Sequence, residues 1–90
     1  MLNLNIATLF KKDRKRCIKR GYDMELLNTV IGILQVPEPL PLEYKDHPLS
    51  GKWINHQECH ILPDWLLIYR IEGDNLYLDR TGTHSDLFHE

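Results

Sequence analysis

The first third of the chain spaces its apolar residues as a short strand followed by two helices. Residues 2–6 alternate between apolar and polar, which predicts a short edge strand. A broken apolar stripe over residues 8–20 predicts a helix, and Gly21 is well placed to end it. Asp23 can cap a second helix, whose apolar face is formed at helical spacing by Leu27, Val30, Ile31 and Leu34. The tight link between the two predicts an antiparallel helical hairpin.

Beyond the second helix the pattern changes to that of strands. Pro37, Pro39 and Pro41 end the helix, because proline disfavours helical backbone at its own position and at the one before it. Strands are predicted at residues 53–61, 65–71 and 76–81, with turns at 62–64 and 73–75 and a short final turn or tail at 83–88. The middle strand is apolar on both faces, which predicts a central position in the sheet.

These elements predict an α+β fold in a single domain of residues 1–90. An N-terminal strand and a helical hairpin would pack on an antiparallel β-sheet meander. The length leaves no room for a second folded unit. Hydrophobic residues make up 42% and charged residues 27%, a balance that argues against disorder.

The cysteines and the apolar runs indicate a cytoplasmic protein without membrane contact. Cys17 and Cys59 show no CxxC spacing, which favours reduced thiols over a disulfide framework, a redox motif or a zinc ribbon. The longest unbroken apolar run covers residues 65–69, far below the ~20 residues of a membrane span. A basic run follows the apolar N-terminus instead of preceding it, the reverse of a signal peptide.

The formal net charge of −2 hides a strong asymmetry along the chain. Taken alone, that value argues against a nucleic-acid partner. Residues 1–20 nevertheless hold seven basic residues against Asp13, a balance of +6, and the remainder has a balance of −8. The basic run is either a solvated helix face or a track for phosphates.

Four residues with charged or titratable side chains are expected to meet at one end of the sheet. In an antiparallel meander, the end of the first strand, the following turn and the end of the third strand lie at the same end of the sheet. This arrangement would bring together His60, Asp64, Arg80 and His84, with His47 joining them if its loop folds back.

Such a group suits phosphodiester cleavage by general acid–base catalysis, with arginine stabilising the negative charge on phosphorus. A 2′-hydroxyl nucleophile would make the substrate RNA. Two other interpretations remain open from the residues alone. One is a metal site built from His47, His60, Asp64 and His84; the other is a set of ordinary surface or core-edge histidines.

Three sequence blocks give the chain a more specific resemblance. They are YKDHPL at 44–49 with Gly51 and Trp53, ECHILPDW at 58–65, and RTGTH at 80–84 followed by Leu87 and Phe88. In this order and spacing they resemble the YafQ branch of RelE-type toxins. The resemblance covers residues 44–88, and the N-terminal half agrees only in its pattern of elements.

The resemblance implies a bacterial type II toxin, an mRNA interferase that cuts messages in the ribosomal A site without a metal or other cofactor. His47, His60 and Asp64 match the acid–base centre, and Arg80 matches the arginine that stabilises the transition state. His84 matches a C-terminal histidine often assigned as proton donor. Phe88 matches an aromatic residue that positions RNA, and an aromatic ring can do so by stacking on a base. Which histidine is base and which is acid stays open.

The resemblance also implies partners. These are a cognate antitoxin protein of the DinJ/RelB-like kind, the ribosome with its mRNA, and operator DNA reached only through the antitoxin complex. The basic helix is predicted to face ribosomal RNA through Lys11, Lys12, Lys15, Arg16, Lys19 and Arg20.

Several other aromatic, cysteine and histidine residues are predicted to have structural rather than catalytic roles. Trp53, Trp65 and Tyr69 are expected in the core, and Cys59 as a small buried apolar group. His56 and His89 are expected at the surface. Two alternatives to the nuclease stay open. One is a non-nuclease ParE-like toxin that inhibits a protein such as gyrase through the helical hairpin, and the other is an inactive copy that only binds its antitoxin.

Overall fold

A computed structural model of the chain describes residues 1–36 and 38–88. Its elements in chain order are β1 (Asn3–Ile6), α1 (Thr8–Lys19), α2 (Met24–Gln35), β2 (His47–Pro48), β3 (Gln57–Leu62), β4 (Trp65–Glu72), β5 (Asn75–Gly82) and α3 (His84–Phe88). Short 3-10 turns lie at Leu42–Tyr44 and Gly51–Trp53. None of the helices among these residues is long and apolar enough to cross a membrane. The expectations for Pro37 and His89 fall outside the described residues.

The five strands form one mixed sheet in the order β1-β5-β4-β3-β2. Strands β2 to β5 are an antiparallel meander, whereas β1 pairs parallel to β5, with Ile6 opposite Leu78. The α+β prediction with an antiparallel meander is confirmed, and β1 lies at the edge of the sheet as predicted; its parallel pairing with β5 was not predicted. The alternation of residues 2–6 indicates a strand without indicating its partner, because strand pairing joins residues far apart in sequence.

The helical hairpin forms as its local signals predict. The Asp23 side chain accepts the backbone N–H of Glu25 at 3.0 Å and so caps α2. Gly21 follows the end of α1 with a φ of +81°, a left-handed conformation that glycine adopts without a steric cost.

Three elements of the second half of the chain differ from the prediction. The strand expected at residues 53–61 begins only at Gln57, because Gly51–Trp53 forms a 3-10 turn and Asn55 adopts a φ of +71°. Strand β2 was missed, since two residues are too few to show an alternating pattern. Residues 84–88, expected as part of a turn or tail, form the helix α3.

The central strand β4 buries side chains on both faces, as predicted. On one face Trp65, Leu67 and Tyr69 join the core that α2 covers with Leu27, Val30 and Leu34. On the other face Leu66 and Ile68 pack against Leu87 of α3, with Leu49, Trp53 and Phe88 around them. Trp65 and Tyr69 are therefore core residues as expected, Trp53 is half-buried at the second core, and Ile31 is only half-buried at the flank of α2.

Both cysteines are buried free thiols. Burial raises the pKa of the Cys59 thiol to about 12, so the thiolate that a nucleophile requires is absent near neutral pH. The expectation that Cys59 is a small apolar group of the core is confirmed.

One carboxylate ties α1 to the last strand. Asp13, only 3% exposed, accepts hydrogen bonds from Arg80 (Nε 2.7 Å, Nη2 3.1 Å), from Arg16 at 2.9 Å and from the backbone N–H of Thr81 at 3.2 Å. The pairing of β1 with β5 ends at Ile6. Beyond that point, Asp13 accepts the backbone N–H of Thr81 on β5, as the carbonyl of a neighbouring strand would do.

Replacing Asp13 tests this tie. We expect Asp13→Ala to lower the free energy of unfolding by about 3–5 kcal/mol, because it leaves a largely buried guanidinium and a buried N–H without their acceptor. Urea denaturation measures the change. The control is Asp74→Ala, whose side chain lies in an exposed turn and whose loss should cost less than about 0.5 kcal/mol. An equal effect of the two substitutions would contradict the assigned role of Asp13.

Candidate active site

Three histidines and a phenylalanine line up along one side of the molecule. The ring centroids of His47 and His60 are 6.0 Å apart, those of His60 and His84 5.7 Å, and those of His84 and Phe88 6.4 Å. We call these four side chains the ring row. They come from β2, β3 and the two ends of α3, so the pairing of the strands and the packing of α3 bring them together.

The β3–β4 turn places two of the site residues. His60 lies opposite Leu66, and the pairing shifts between His60 and Leu62 before the chain turns at Pro63 and Asp64. The His60 Nδ1 lies 3.3 Å from the carbonyl oxygen of Pro63. A carbonyl only accepts hydrogen bonds, so Nδ1 carries the proton in this contact and Nε2 keeps its lone pair.

Asp64 binds His84 twice. Its Oδ1 accepts from the His84 backbone N–H at 2.9 Å and from the ring Nδ1 at 2.6 Å. These hydrogen bonds hold the pKa of the Asp64 carboxyl below its ordinary value. The contact fixes the ring orientation, places a proton on Nδ1 and leaves Nε2 as the reactive nitrogen.

His47 has both ring nitrogens engaged. Its Nδ1 lies 2.8 Å from the Lys45 carbonyl oxygen, and its Nε2 lies 2.8 Å from Oε2 of Glu58, the residue opposite it on β3. Next to it, Asp46 accepts the hydroxyl of buried Tyr69 at 2.5 Å, which anchors this loop to the central strand. Since a carbonyl and a carboxylate are both acceptors, His47 and Glu58 share one proton between them while Nδ1 holds another.

Glu58 is the site residue that the sequence analysis missed. Its side chain is only 7% exposed, and its Oε1 has no hydrogen-bond partner among the described residues. The available signal was its place two residues before His60, because alternate residues of a strand point to the same face. A glutamate buried beside two histidines is costly unless it is paired, which makes it a site candidate.

The His47, Glu58 and His60 side chains also form a group that could hold a metal ion. One ligand atom of each lies within 4.8 Å of the other two. Two imidazoles and a carboxylate suit zinc or copper. This set differs from the alternative weighed from sequence, because Asp64 and His84 bind one another and Glu58 takes their place.

Arg80 of β5 donates two hydrogen bonds to Asp13. It lies opposite Ile68 in the sheet, and its Nη1 makes no protein hydrogen bond within the described part of the chain. Sequence reasoning expected Arg80 at the same sheet edge as the histidines. The structure places it on β5, which β4 separates from the strand of His60, with two of its three nitrogens already bound.

The basic helix does not present a single cationic face. Arg16 bonds to Asp13, and Arg20 forms a bidentate pair with Asp86 of α3 at 2.6 and 3.0 Å. The lysines of the helix are exposed and form no ion pair among the described residues; they are Lys11, Lys12, Lys15 and Lys19.

A groove of about 720 Å³ lies between β1, α1 and α2, away from the ring row. Its apolar lining includes Ile6, Phe10 and Ile31, and basic residues of α1 border it, among them Arg14 and Lys15. It is an apolar surface with a cationic rim.

The expectation for His56 is wrong. Its side chain is 21% exposed, lies 3.4 Å from Asp79 and packs edge-on against Trp53 at 5.3 Å. It is a half-buried structural histidine outside the ring row.

Comparison with known proteins agrees with the geometry. The mRNA interferase toxin YafQ of Escherichia coli strain K12 is 44% identical over 80 residues, which cover 88% of this chain and 87% of that protein. A copper-bound mutant toxin from Helicobacter pylori superposes with a TM-score of 0.94 at 45% identity, covering 98% and 100% of the two chains. The E. coli DinJ–YafQ toxin–antitoxin complex matches with a TM-score of 0.90 at 40% identity, covering 97% of each chain.

A family model described as a bacterial toxin of the type II toxin–antitoxin system, YafQ, matches residues 2–89. This match spans nearly the whole chain, including the ring row and the elements that position it. The chain belongs to the YafQ family of bacterial type II toxins.

Proposed function

We propose that this protein is an mRNA interferase, an endoribonuclease that cleaves mRNA in the ribosomal A site and so inhibits translation. The single observation that carries the proposal is the ring row, in which two neighbouring imidazoles expose an Nε2 and stand 5.7 Å apart. The name of the E. coli relative supports the same activity.

His60 suits the general base. With its proton on Nδ1, its Nε2 can accept the proton of a ribose 2′-hydroxyl as that oxygen attacks the adjacent phosphorus. The new P–O bond gives a 2′,3′-cyclic phosphate as the bond to the 5′ oxygen breaks.

His84 suits the general acid. Asp64 holds the proton on Nδ1 and compensates the positive charge of an imidazolium, as the carboxylate of a catalytic triad does. The Nε2 proton passes to the departing 5′ oxygen, which leaves as a hydroxyl. One proton is taken up at His60 and one is released at His84, so the step balances.

The other site residues act around this pair. His47 and Glu58 act as one unit that forms the wall of the site beside His60, since neither nitrogen of His47 is free. Arg80 offers its remaining Nη1 to the charge that builds up on the phosphate oxygens. Phe88 ends the ring row and presents a face on which a base can stack.

A DinJ-like antitoxin is the protein partner that we propose for this chain, because a relative at 40% identity is found in complex with DinJ. The groove bordered by Arg14 and Lys15 supplies an apolar floor and positive charge for such a partner. Operator DNA would then be contacted only through the antitoxin complex, and the lysines of α1 would face ribosomal RNA.

The acid–base pair can be tested directly. We expect His60→Ala and His84→Ala each to slow cleavage by about 10²–10⁴-fold, since each removes one proton-transfer group. Primer extension on ribosome-engaged messages measures the rate and the cut site together. His56→Gln is the matched control and should cleave like the wild type. Growth inhibition undiminished in both alanine variants, or arrest with DNA damage and intact messages, would contradict the nuclease.

The role of the α1 lysines can be separated from that of its arginines. Changing Lys12, Lys15 and Lys19 to Glu should weaken ribosome binding and flatten its salt dependence, because fewer counterions are released from RNA phosphates. Cosedimentation with ribosomes at several salt concentrations measures both. The control changes the same three residues to Arg, which preserves the charge and should preserve binding. Equal binding of the two variants in moderate salt would make this helix face a merely solvated one.

We expect copper to bind this chain, since a mutant toxin from H. pylori with the same fold is copper-bound, and to inhibit cleavage. The donor set of His47, Glu58 and His60 fits this ion, and its binding would occupy the imidazole of the proposed base. Isothermal titration should show one copper ion bound per chain, with cleavage lost in parallel and restored by a chelator. Glu58→Gln should bind copper more weakly. Full cleavage activity with one copper bound would refute this assignment.

A further inference from the structure

Helix α3 is too short to hold its own shape, yet it carries two residues of the ring row. It has five residues, with His84 as the first and Phe88 as the last. An isolated helix of this length is unstable in water, because nucleation costs more than its few hydrogen bonds return. Contacts from outside the helix must therefore set the position of both rings.

Asp86 closes the start of this helix. Its Oδ2 accepts the backbone N–H of Thr83 at 3.0 Å, and its own N–H donates to the Thr83 hydroxyl at 3.0 Å, which together form a capping box. Gly82 makes room for it, since a Cβ at that position would stand 2.9 Å from Oδ2.

The same carboxylate reaches the end of α1. Arg20 donates to it through both terminal nitrogens, at 2.6 and 3.0 Å, and the Nε of Arg16 lies 3.8 Å away. Arg20 and the capping contacts hold the pKa of the Asp86 carboxyl well below its usual range, so the carboxylate stays charged throughout the working pH range. A bidentate arginine pair fixes orientation as well as distance.

We propose that Asp86 is a positioning residue, which through Arg20 fixes α3, and hence His84 and Phe88, relative to the rest of the site. The inference rests on the cleavage reaction proposed above and adds to it a residue that does not touch the substrate. It also removes Arg20 from the residues that bind ribosomal RNA.

The helix α1 thereby supports two separate parts of the site. Arg20 holds Asp86 and with it α3, while Asp13 holds Arg80 on β5. Arg16 stands between them, bonded to Asp13 and close to Asp86. The proposed acid and the proposed transition-state arginine are thus aligned from one helix.

A double-mutant cycle on Arg20 and Asp86 tests the proposal. Asp86→Asn retains an acceptor for the Thr83 N–H but loses the charge, and Arg20→Ala removes the other half of the pair. We expect each to slow single-turnover cleavage at saturating toxin by about 10–100-fold, because displacement of a reacting group by around 1 Å has an effect of that order. The double variant should be no slower than either single one.

Three further results are expected if Asp86 positions α3 through Arg20. The toxin concentration that half-saturates ribosomes should stay unchanged, and Arg20→Lys, which keeps the charge, should restore part of the rate. Asp74→Ala, which removes an exposed charge from the β4–β5 turn, should leave the single-turnover rate as in the wild type. If Asp86→Asn fails to fold, Arg20→Ala, at an exposed position, carries the test with the Arg20→Lys rescue.

The opposite outcomes would overturn the positioning role of Asp86. Additive losses in the cycle, or weaker ribosome binding with an unchanged single-turnover rate, would mean that Arg20 contacts RNA. If the wild type cleaves nothing, the proposed function fails, and NMR still tests whether Asp86 and Arg20 position α3. The His84 ring signals and the Phe88 amide exchange should change in Arg20→Ala and Asp86→Asn but not in Asp74→Ala. Unchanged signals in the first two variants would refute the proposal.

Discussion

The buried carboxylate of Asp13 is the constraint on which much of this structure depends. It stands in the middle of the most basic segment of the chain, at 3% exposure, and binds two guanidiniums and a strand N–H. An acid there is stable only because three donors converge on it, and each of those donors is in turn fixed by it. Through these bonds the first helix is locked to the last strand, and Arg80 is given one orientation.

The two faces of the sheet divide structure from chemistry. Side chains of α1 and α2, among them Phe10, Leu27 and Val30, cover one face and form the larger core with it. Among the described residues, the other face carries the smaller cluster around Leu87, and beside it the His47 and His84 side chains are 46% and 39% exposed. Imidazoles placed at that margin have a rigid backing and an accessible edge, which is the combination that proton transfer to a bound substrate requires.

The candidate site was predictable to the extent that it follows from strand order. His60, Asp64 and His84 meet because a meander returns to the same edge, and the local pattern of turns was enough to infer this. Glu58 and the strand of His47 were not found, since a two-residue strand leaves no periodic signal and a lone glutamate reads as a surface residue. The cationic helix was interpreted as one surface because charge runs carry no information about partners elsewhere in the chain.

The sequence by itself determined the types of the longer elements, the buried side of α2, the central place of β4 and the family, because periodicity, caps and motif spacing are local properties of the chain. Tertiary structure alone decided the parallel pairing of β1 with β5, the burial of Asp13 and the division of the α1 cations. Each of these depends on pairs such as Asp13 with Arg80 and Arg20 with Asp86, which lie 67 and 66 residues apart. A carboxylate selects its guanidinium by distance and burial, and neither exists until the sheet has brought both ends of the chain together.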